Sequence, residues 1–319
     1  MANNEKSYKQ IDILDELLSS PEIENKKFSE LVNPLRIAYI NGHYALRILN
    51  SQILDARFLL QKIDTNPNTC QLKKLIMLTT NRFDFGLDGT DKADYYALIG
   101  RLNANQPKRV IWVQNNPWEN RYMLLKMGPN TVPKPLLVRP FGFSSLQVTN
   151  SLPYNAASSA CMYSHPFIEK FHEKAAKAGV NLVKLGWQYG GPTVLSKFKV
   201  FVDLPYQTST MKMYENMAHG VVTMVPTPRF IRENLIPDTA TVNFVNLYDT
   251  LKVGDDWFKY IEYFNDDFKE YFPYQFDSLE DLKFKIENFN DTFNIREKLP
   301  LAWKQENAKS LKLWKEVRK

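Results

Sequence analysis

Apolar residues along this chain arrive in two rhythms. Short continuous runs alternate with longer stretches in which apolar positions recur every three to four residues. The runs "LRIAYI" (35–40), "KKLIMLTT" (73–80), "KRVIWVQN" (108–115) and "KPLLVRP" (134–140) predict strands. Ile11, Leu14, Leu17 and Leu18, ahead of a break at Pro21, predict a helix within 7–31. Leu46, Leu49, Ile53, Phe58, Leu59 and Ile63 predict a second, long helix, and residues 92–104 a third. Strand, helix, strand, helix, strand is the signature of an α/β domain with a mostly parallel sheet. Strands that are apolar throughout are expected when helices cover both faces.

Residues 142–160 are rich in Ser and Asn and read as a linker or an irregular crossing. The alternation then resumes. Strands are expected at 159–164, 180–186, 199–205 and 221–226, with helices at 166–179 and about 208–219. Gly179 and Gly220 are placed to end those helices, Gly220 with a positive φ. From about residue 255 the pattern changes to acids alternating with aromatics, read as surface helices whose Trp and Phe residues pack inward. Leu301, Trp303, Leu311, Leu313 and Trp314 give the last segment the form of a basic amphipathic helix. Two α/β domains in series are expected, 1–149 and 150–300, followed by a terminal helix over 301–319.

Composition narrows the field. The chain has 319 residues, 44% hydrophobic and 24% charged, which is ordinary globular composition. Cys70 and Cys161 are the only cysteines, so no disulfide framework is expected. No run approaches the ~20 apolar residues that span a bilayer. The polar start "MANNEKSYKQ" leads into no apolar signal region, and a cytoplasmic location is expected. The net charge of +6 is uneven: residues 255–281 carry −7 and residues 282–319 carry +5, leaving +8 for the rest. A basic body suits an anionic ligand such as a nucleotide, and equally a surface tuned for solubility. No dense Lys/Arg cluster with aromatics marks a nucleic-acid footprint. The basic last helix suits docking on the protein itself or peripheral contact with a membrane surface.

The segment with most chemistry is "PYQTSTMKMYENMAHGVVTMVPTP" (205–228). Pro205 ends a strand, and Thr208, Ser209 and Thr210 each suit a helix N-cap, Thr208 most naturally. A helix starting past the carboxyl end of a parallel strand points its free N–H groups at the place where open α/β sheets bind ligands. Glu215, seven residues after Thr208, is suited to accept two hydrogen bonds from a vicinal diol such as ribose. The plain alternative is a capped packing helix with a solvated Glu.

"YENMAHGVVTMVP" resembles the Glu-x-x-Ala-x-Gly stretch of GT-B glycosyltransferases. The resemblance covers about residues 180–230. It implies two Rossmann-like α/β domains facing a cleft, with the donor bound by the second. Glu215 would hold the ribose of a UDP- or GDP-sugar. Thr208, Ser209 and Thr210 would meet its diphosphate, with Gly190 and Gly191 nearby, and Tyr206 and Gln207 would face the sugar. In retaining members a second Glu stands eight positions before the first; here that position is Gln207, and the stereochemical outcome stays open. The last helix would return to the first domain. His43, after the first strand, would be a catalytic base toward an acceptor hydroxyl, whether of a glycan, a protein or a small molecule.

The implied activity is sugar transfer from a nucleotide-sugar. A catalytically silent relative serving as a binding or scaffolding protein, and a nucleotide-sugar epimerase, are the alternatives. Arg139 and Lys184 are further candidates for phosphate, or more simply ordinary structural charges. Asp84, Asp88 and Asp91 lack Asp-x-Asp and calcium-loop spacing, and His165 and His172 have no completing ligands, so no bound metal is expected. Gly-x-Gly-x-x-Gly, Walker and Gly-x-Ser-x-Gly motifs are absent.

Overall fold

The computed structural model describes residues 36–40, 44–50, 53–67, 74–79, 82–84, 87, 89–142, 156–163, 168–186, 189–237 and 245–317. The chain falls into two compact units that divide between Val138 and Arg139; the second runs to Glu316, and Val317 is counted with the first.

The first unit is a five-stranded sheet in the order β1-β2-β3-β4-β5. Its strands are β1 (Arg36–Ile40), β2 (Tyr44–Asn50), β3 (Lys74–Thr79), β4 (Val110–Gln114) and β5 (Leu136–Leu137). β1 pairs antiparallel with β2, Arg36 opposite Ile48; the other pairings are parallel. Helices α1 (Ile53–Thr65), α2 (Gly89–Asn105) and α3 (Pro117–Met127) make the crossovers. The expected helix that included Leu46 and Leu49 is corrected: residues 44–50 are a strand. "YALRILN" satisfies an alternating period as well as a helical one, and its parallel ladder to β3, Leu46 opposite Lys74, decides between them. Leu75, Ile76, Trp112, Val113, Leu98 and Met123 are buried in the core.

The second unit is a parallel sheet in the order β10-β9-β8-β6-β7. Its strands are β6 (Ala160–Tyr163), β7 (Leu182–Leu185), β8 (Val200–Val202), β9 (Thr223–Pro226) and β10 (Gln275–Phe276). β6, β8 and β9 are buried at every position, as continuous apolar runs covered on both faces must be. The strand order reverses between β6 and β8, which makes a topological switch point where doubly wound sheets take ligands. No such reversal occurs among the described strands of the first unit.

The helices of the second unit are α4 (Glu169–Lys177), α5 (Pro192–Leu195), α6 (Met211–Ala218), α7 (Pro228–Phe230), α8 (Val245–Thr250), α9 (Leu279–Glu287) and α10 (Ile295–Val317). Gly179 and Gly220 follow α4 and α6 as the sequence predicts, with φ of 74° and 61°; the sequence expects the positive value at Gly220. The acidic aromatic stretch forms short 3₁₀ turns between Trp257 and Tyr271 in place of the expected helices, and its last part, Leu279–Glu287, is a helix as expected. Its Trp257, Phe264, Phe268 and Phe272 do pack inward.

The unit boundary falls before residue 150 because Arg139 is bound into the second unit. Its guanidinium contacts the carboxylates of Glu262, Asp267 and Glu306 at 3.1, 2.7 and 3.3 Å. The segment that follows is fixed by α10: Trp303 Nε1 and Asn307 Nδ2 donate to the Phe141 carbonyl at 2.6 and 3.2 Å. Gly142 then lies against α6 with φ 63°, where a Cβ would stand 2.5 Å from the Tyr214 carbonyl carbon. A Gly142→Ala variant is expected to lose about 2–3 kcal/mol, from the left-handed backbone and the overlap together, read as a lowered melting temperature by circular dichroism.

Candidate functional site

The carboxyl ends of β6 and β8 bring together a set of polar side chains around Asp203. This residue follows β8 and is 1% exposed. Its Oδ1 accepts from Lys212 Nζ at 2.9 Å and its Oδ2 from the Tyr263 hydroxyl at 2.5 Å. The Lys212 ammonium also lies 3.3 Å from the Tyr163 ring centroid and 5.0 Å from that of Phe201. Lys212 stands in the first turn of α6, where the helix dipole disfavours a cation. Asp203 and the aromatic faces offset that cost. Burial lowers the Lys212 pKa and the Asp203 carboxylate opposes the shift. Tyr163, Tyr189, Tyr206 and Tyr263 are all held in the neutral phenol form, first by burial and then by the Asp203 charge.

Glu215 lies on the same helix, three residues after Lys212. It is half-buried, and burial raises its pKa while Lys212 pulls it down. Tyr189 feels the Glu215 and Asp203 charges together, which puts the loop after β7 beside this edge. Among the described residues none donates a hydrogen bond to the Glu215 carboxylate. Gly190 and Gly191 continue that loop with φ of 91° and 70°, and the Gly191 carbonyl accepts from Val194 N at 3.1 Å at the start of α5. Tyr206 and Gln207 are partly exposed in the turn after β8.

The hydroxyl run caps the helix at a different residue from the one expected. The N-cap is Thr210, not Thr208: Thr210 Oγ1 accepts from Met213 N at 3.4 Å, and α6 begins at Met211. Glu215 is therefore only one turn and a fraction into the helix. Thr208 is buried, and its carbonyl accepts from Glu262 N at 2.8 Å. Ser209 hydrogen-bonds the Tyr214 phenol and Thr210 the Tyr263 phenol. The Ser209 and Thr210 side chains thus make internal contacts, and Thr208 makes its contact through the backbone.

The other sequence candidates separate. His43, His165 and Asp88 lie outside the described residues. Arg139 is a buried structural cation, the second of the two roles the sequence left open for it. Lys184 forms an exposed ion pair with Glu169. The His172 ring hydrogen-bonds the Tyr163 carbonyl region at 3.1 Å, and Asp91 pairs with Arg57 at 2.7 Å. Asp203, Lys212 and Tyr263 are the residues that sequence reasoning passed over. Two signals pointed to them: an acid closing an apolar strand in "FVDLP", and a lysine where a helix start disfavours one.

No helix among the described residues is long and apolar enough to cross a membrane. The chain matches no protein-family model and no curated protein sequence.

Proposed function

We propose that the second unit binds a nucleotide-sugar at the carboxyl edge of its sheet and that the protein is a glycosyltransferase of GT-B type. The observation that carries this reading is the position of Glu215: a half-buried carboxylate, without a hydrogen bond from the described residues, on the helix that follows β8 at the switch point. Its two oxygens suit the paired hydroxyls of a ribose. Lys212, within the field of Glu215, would supply the positive charge for the diphosphate, exchanging part of its contact with Asp203. The positive-φ pair Gly190–Gly191 lets the backbone approach the same group closely. Tyr206 and Gln207 face the sugar.

In the reaction, an acceptor hydroxyl oxygen forms a bond to the anomeric carbon. The bond from that carbon to the diphosphate breaks, and the diphosphate leaves with its electron pair. The hydroxyl proton goes to a base, for which His43 is the sequence candidate. Positioning and stabilisation of the leaving diphosphate would supply most of the rate. A catalytically silent binding protein is favoured by two features, Gln207 in place of an acid and the internally bonded hydroxyls of Ser209 and Thr210.

A thermal-shift screen of the full chain against UDP-, GDP- and ADP-sugars tests donor binding. At a concentration 100 times the dissociation constant, a ligand should add about 2.7 kcal/mol of stability. Glu215→Ala should lose most of that shift while keeping the melting temperature of the free protein. If no nucleotide-sugar shifts the wild type, the donor site is wrong. Binding without turnover across an acceptor panel would select the silent reading.

A further inference from the structure

The terminal helix α10 has two faces, and the fold uses one of them. Ile295, Leu299, Ala302, Glu306 and Ser310 recur at helical spacing and are buried. The Ser310 hydroxyl donates to the Arg139 carbonyl at 3.0 Å, and Trp303 and Asn307 hold the Phe141 carbonyl from the flank of the same stripe.

Past Pro300 the opposite face is exposed. Leu301, Lys304, Lys309, Leu311, Lys312 and Lys315 all stand on it. At 3.6 residues per turn these positions fill an arc of roughly 160°. Leu301 is 59% exposed and Leu311 49% exposed. They are about 15 Å apart along the helix axis, with lysines between and beside them.

Four lysines share this face with one acid, Glu316. Lys309 Nζ lies 3.3 Å from Glu306. Among the described residues no carboxylate pairs with Lys304, Lys312 or Lys315. The acidic 3₁₀ stretch meets α10 from its buried side, because Arg139 holds Glu262 and Asp267 together with Glu306. The exposed face therefore keeps a net positive charge.

Exposed lysines alone are the ordinary solvated side of a helix. Here both exposed leucines of the helix fall inside the lysine arc. A nucleic-acid backbone would reward only the cations, and the arc carries no arginine or aromatic ring to stack on bases. An anionic lipid surface rewards both kinds of side chain. Leucines enter the boundary between headgroups and acyl chains, while lysine stems lie against apolar chains with their ammonium groups among the phosphates.

We propose that the exposed face of α10 is a docking surface for an anionic lipid bilayer. The helix lies in the plane of the interface, with Leu301 and Leu311 inserted and Lys304, Lys309, Lys312 and Lys315 on the lipid phosphates. The surface is independent of the nucleotide-sugar reading of the second unit.

The test is co-sedimentation of the full chain with two kinds of vesicle. One is phosphatidylcholine alone; the other is two parts phosphatidylcholine to one part phosphatidylserine. The chain should sediment with the second and little with the first, and raising the salt should weaken the binding. Each lysine neutralised should lower the partition coefficient about fivefold, so Lys312→Gln with Lys315→Gln costs about 25-fold. Leu301→Ser with Leu311→Ser should cost at least about tenfold. All four side chains are exposed, so both double variants should keep the wild-type melting temperature, and Glu215→Ala should bind vesicles like the wild type. The proposal is overturned if phosphatidylserine adds nothing to binding, or if the lysine variant binds like the wild type. A loss in the lysine variant with none in the leucine variant would also overturn it. That pattern would mean contact by charge alone, as a nucleic acid or an acidic protein makes.

Discussion

Replacing Arg139 by methionine is expected to destabilise the second unit by about 3–5 kcal/mol, the scale of removing one partner from a buried ion pair. The Arg139 side chain is 4% exposed and that of Glu262 is 1% exposed. The guanidinium donates from Nε to Glu262, from Nη1 to Glu306 and from Nη2 to Asp267, and it stacks 4.7 Å from the Phe268 ring centroid. Asp267 is half exposed and would regain water. Glu262 would not: among the described residues its Oε1 would keep only the Tyr214 hydroxyl at 3.2 Å, and its Oε2 has no partner even with Arg139 present. Burial already raises the Glu262 pKa against the pull of Arg139, and losing that pull raises it further.

The sign of the pH dependence follows. A carboxyl whose folded pKa is raised contributes most below its unfolded pKa and loses stability as pH rises toward the folded value. Arg139→Met should therefore be less damaging at pH 5 than at pH 8. Adding Glu262→Met should recover part of the loss, since a packed apolar pair replaces the lone charge. Urea denaturation of the single and double variants measures both effects. A loss under 1 kcal/mol at pH 8 would contradict the assigned network.

Arg139 also marks the limit of what the sequence makes legible. Its partners lie 123, 128 and 167 residues away, so nothing local distinguishes a structural cation from a phosphate ligand. The parallel strands are legible for the opposite reason. Burial on both faces makes "KKLIMLTT" and "FKVFVDL" apolar without interruption, a signal contained in each run. Residues 44–50 carry two compatible periods, and only the ladder to β3 selects a strand. Thr208, Ser209 and Thr210 are chemically equivalent caps, and the docking of α6 on Tyr263 and Asp203 fixes the start at Thr210. Glu215 is visible as a motif residue, whereas Lys212 becomes a candidate only when Asp203 is brought to it. Glu119 looks like an ordinary first-turn acid favoured by the helix dipole; its burial comes from tertiary packing.

That burial makes Glu119 the main source of pH sensitivity expected in the first unit. Its pKa stands at about 8 against 4.5 for an ordinary glutamate, with burial the leading cause. The folded state thus holds the proton more tightly than the unfolded chain. The stability linked to this proton is fully present below about pH 4.5 and is lost progressively as pH rises to about 8. At 1.36 kcal/mol per pKa unit the loss is on the order of 4–5 kcal/mol. Glu119→Gln carries no such proton and should unfold with a nearly flat dependence over the same range. It should therefore be less stable than or equal to the wild type at pH 5 and more stable at pH 9. Unfolding of the first unit is followed through the fluorescence of Trp112 and Trp118, both buried within it, in urea at pH 5, 7 and 9. Parallel curves for the two proteins would mean that Glu119 is ionised in the folded state at neutral pH. In that case Arg82, not burial, would dominate its environment.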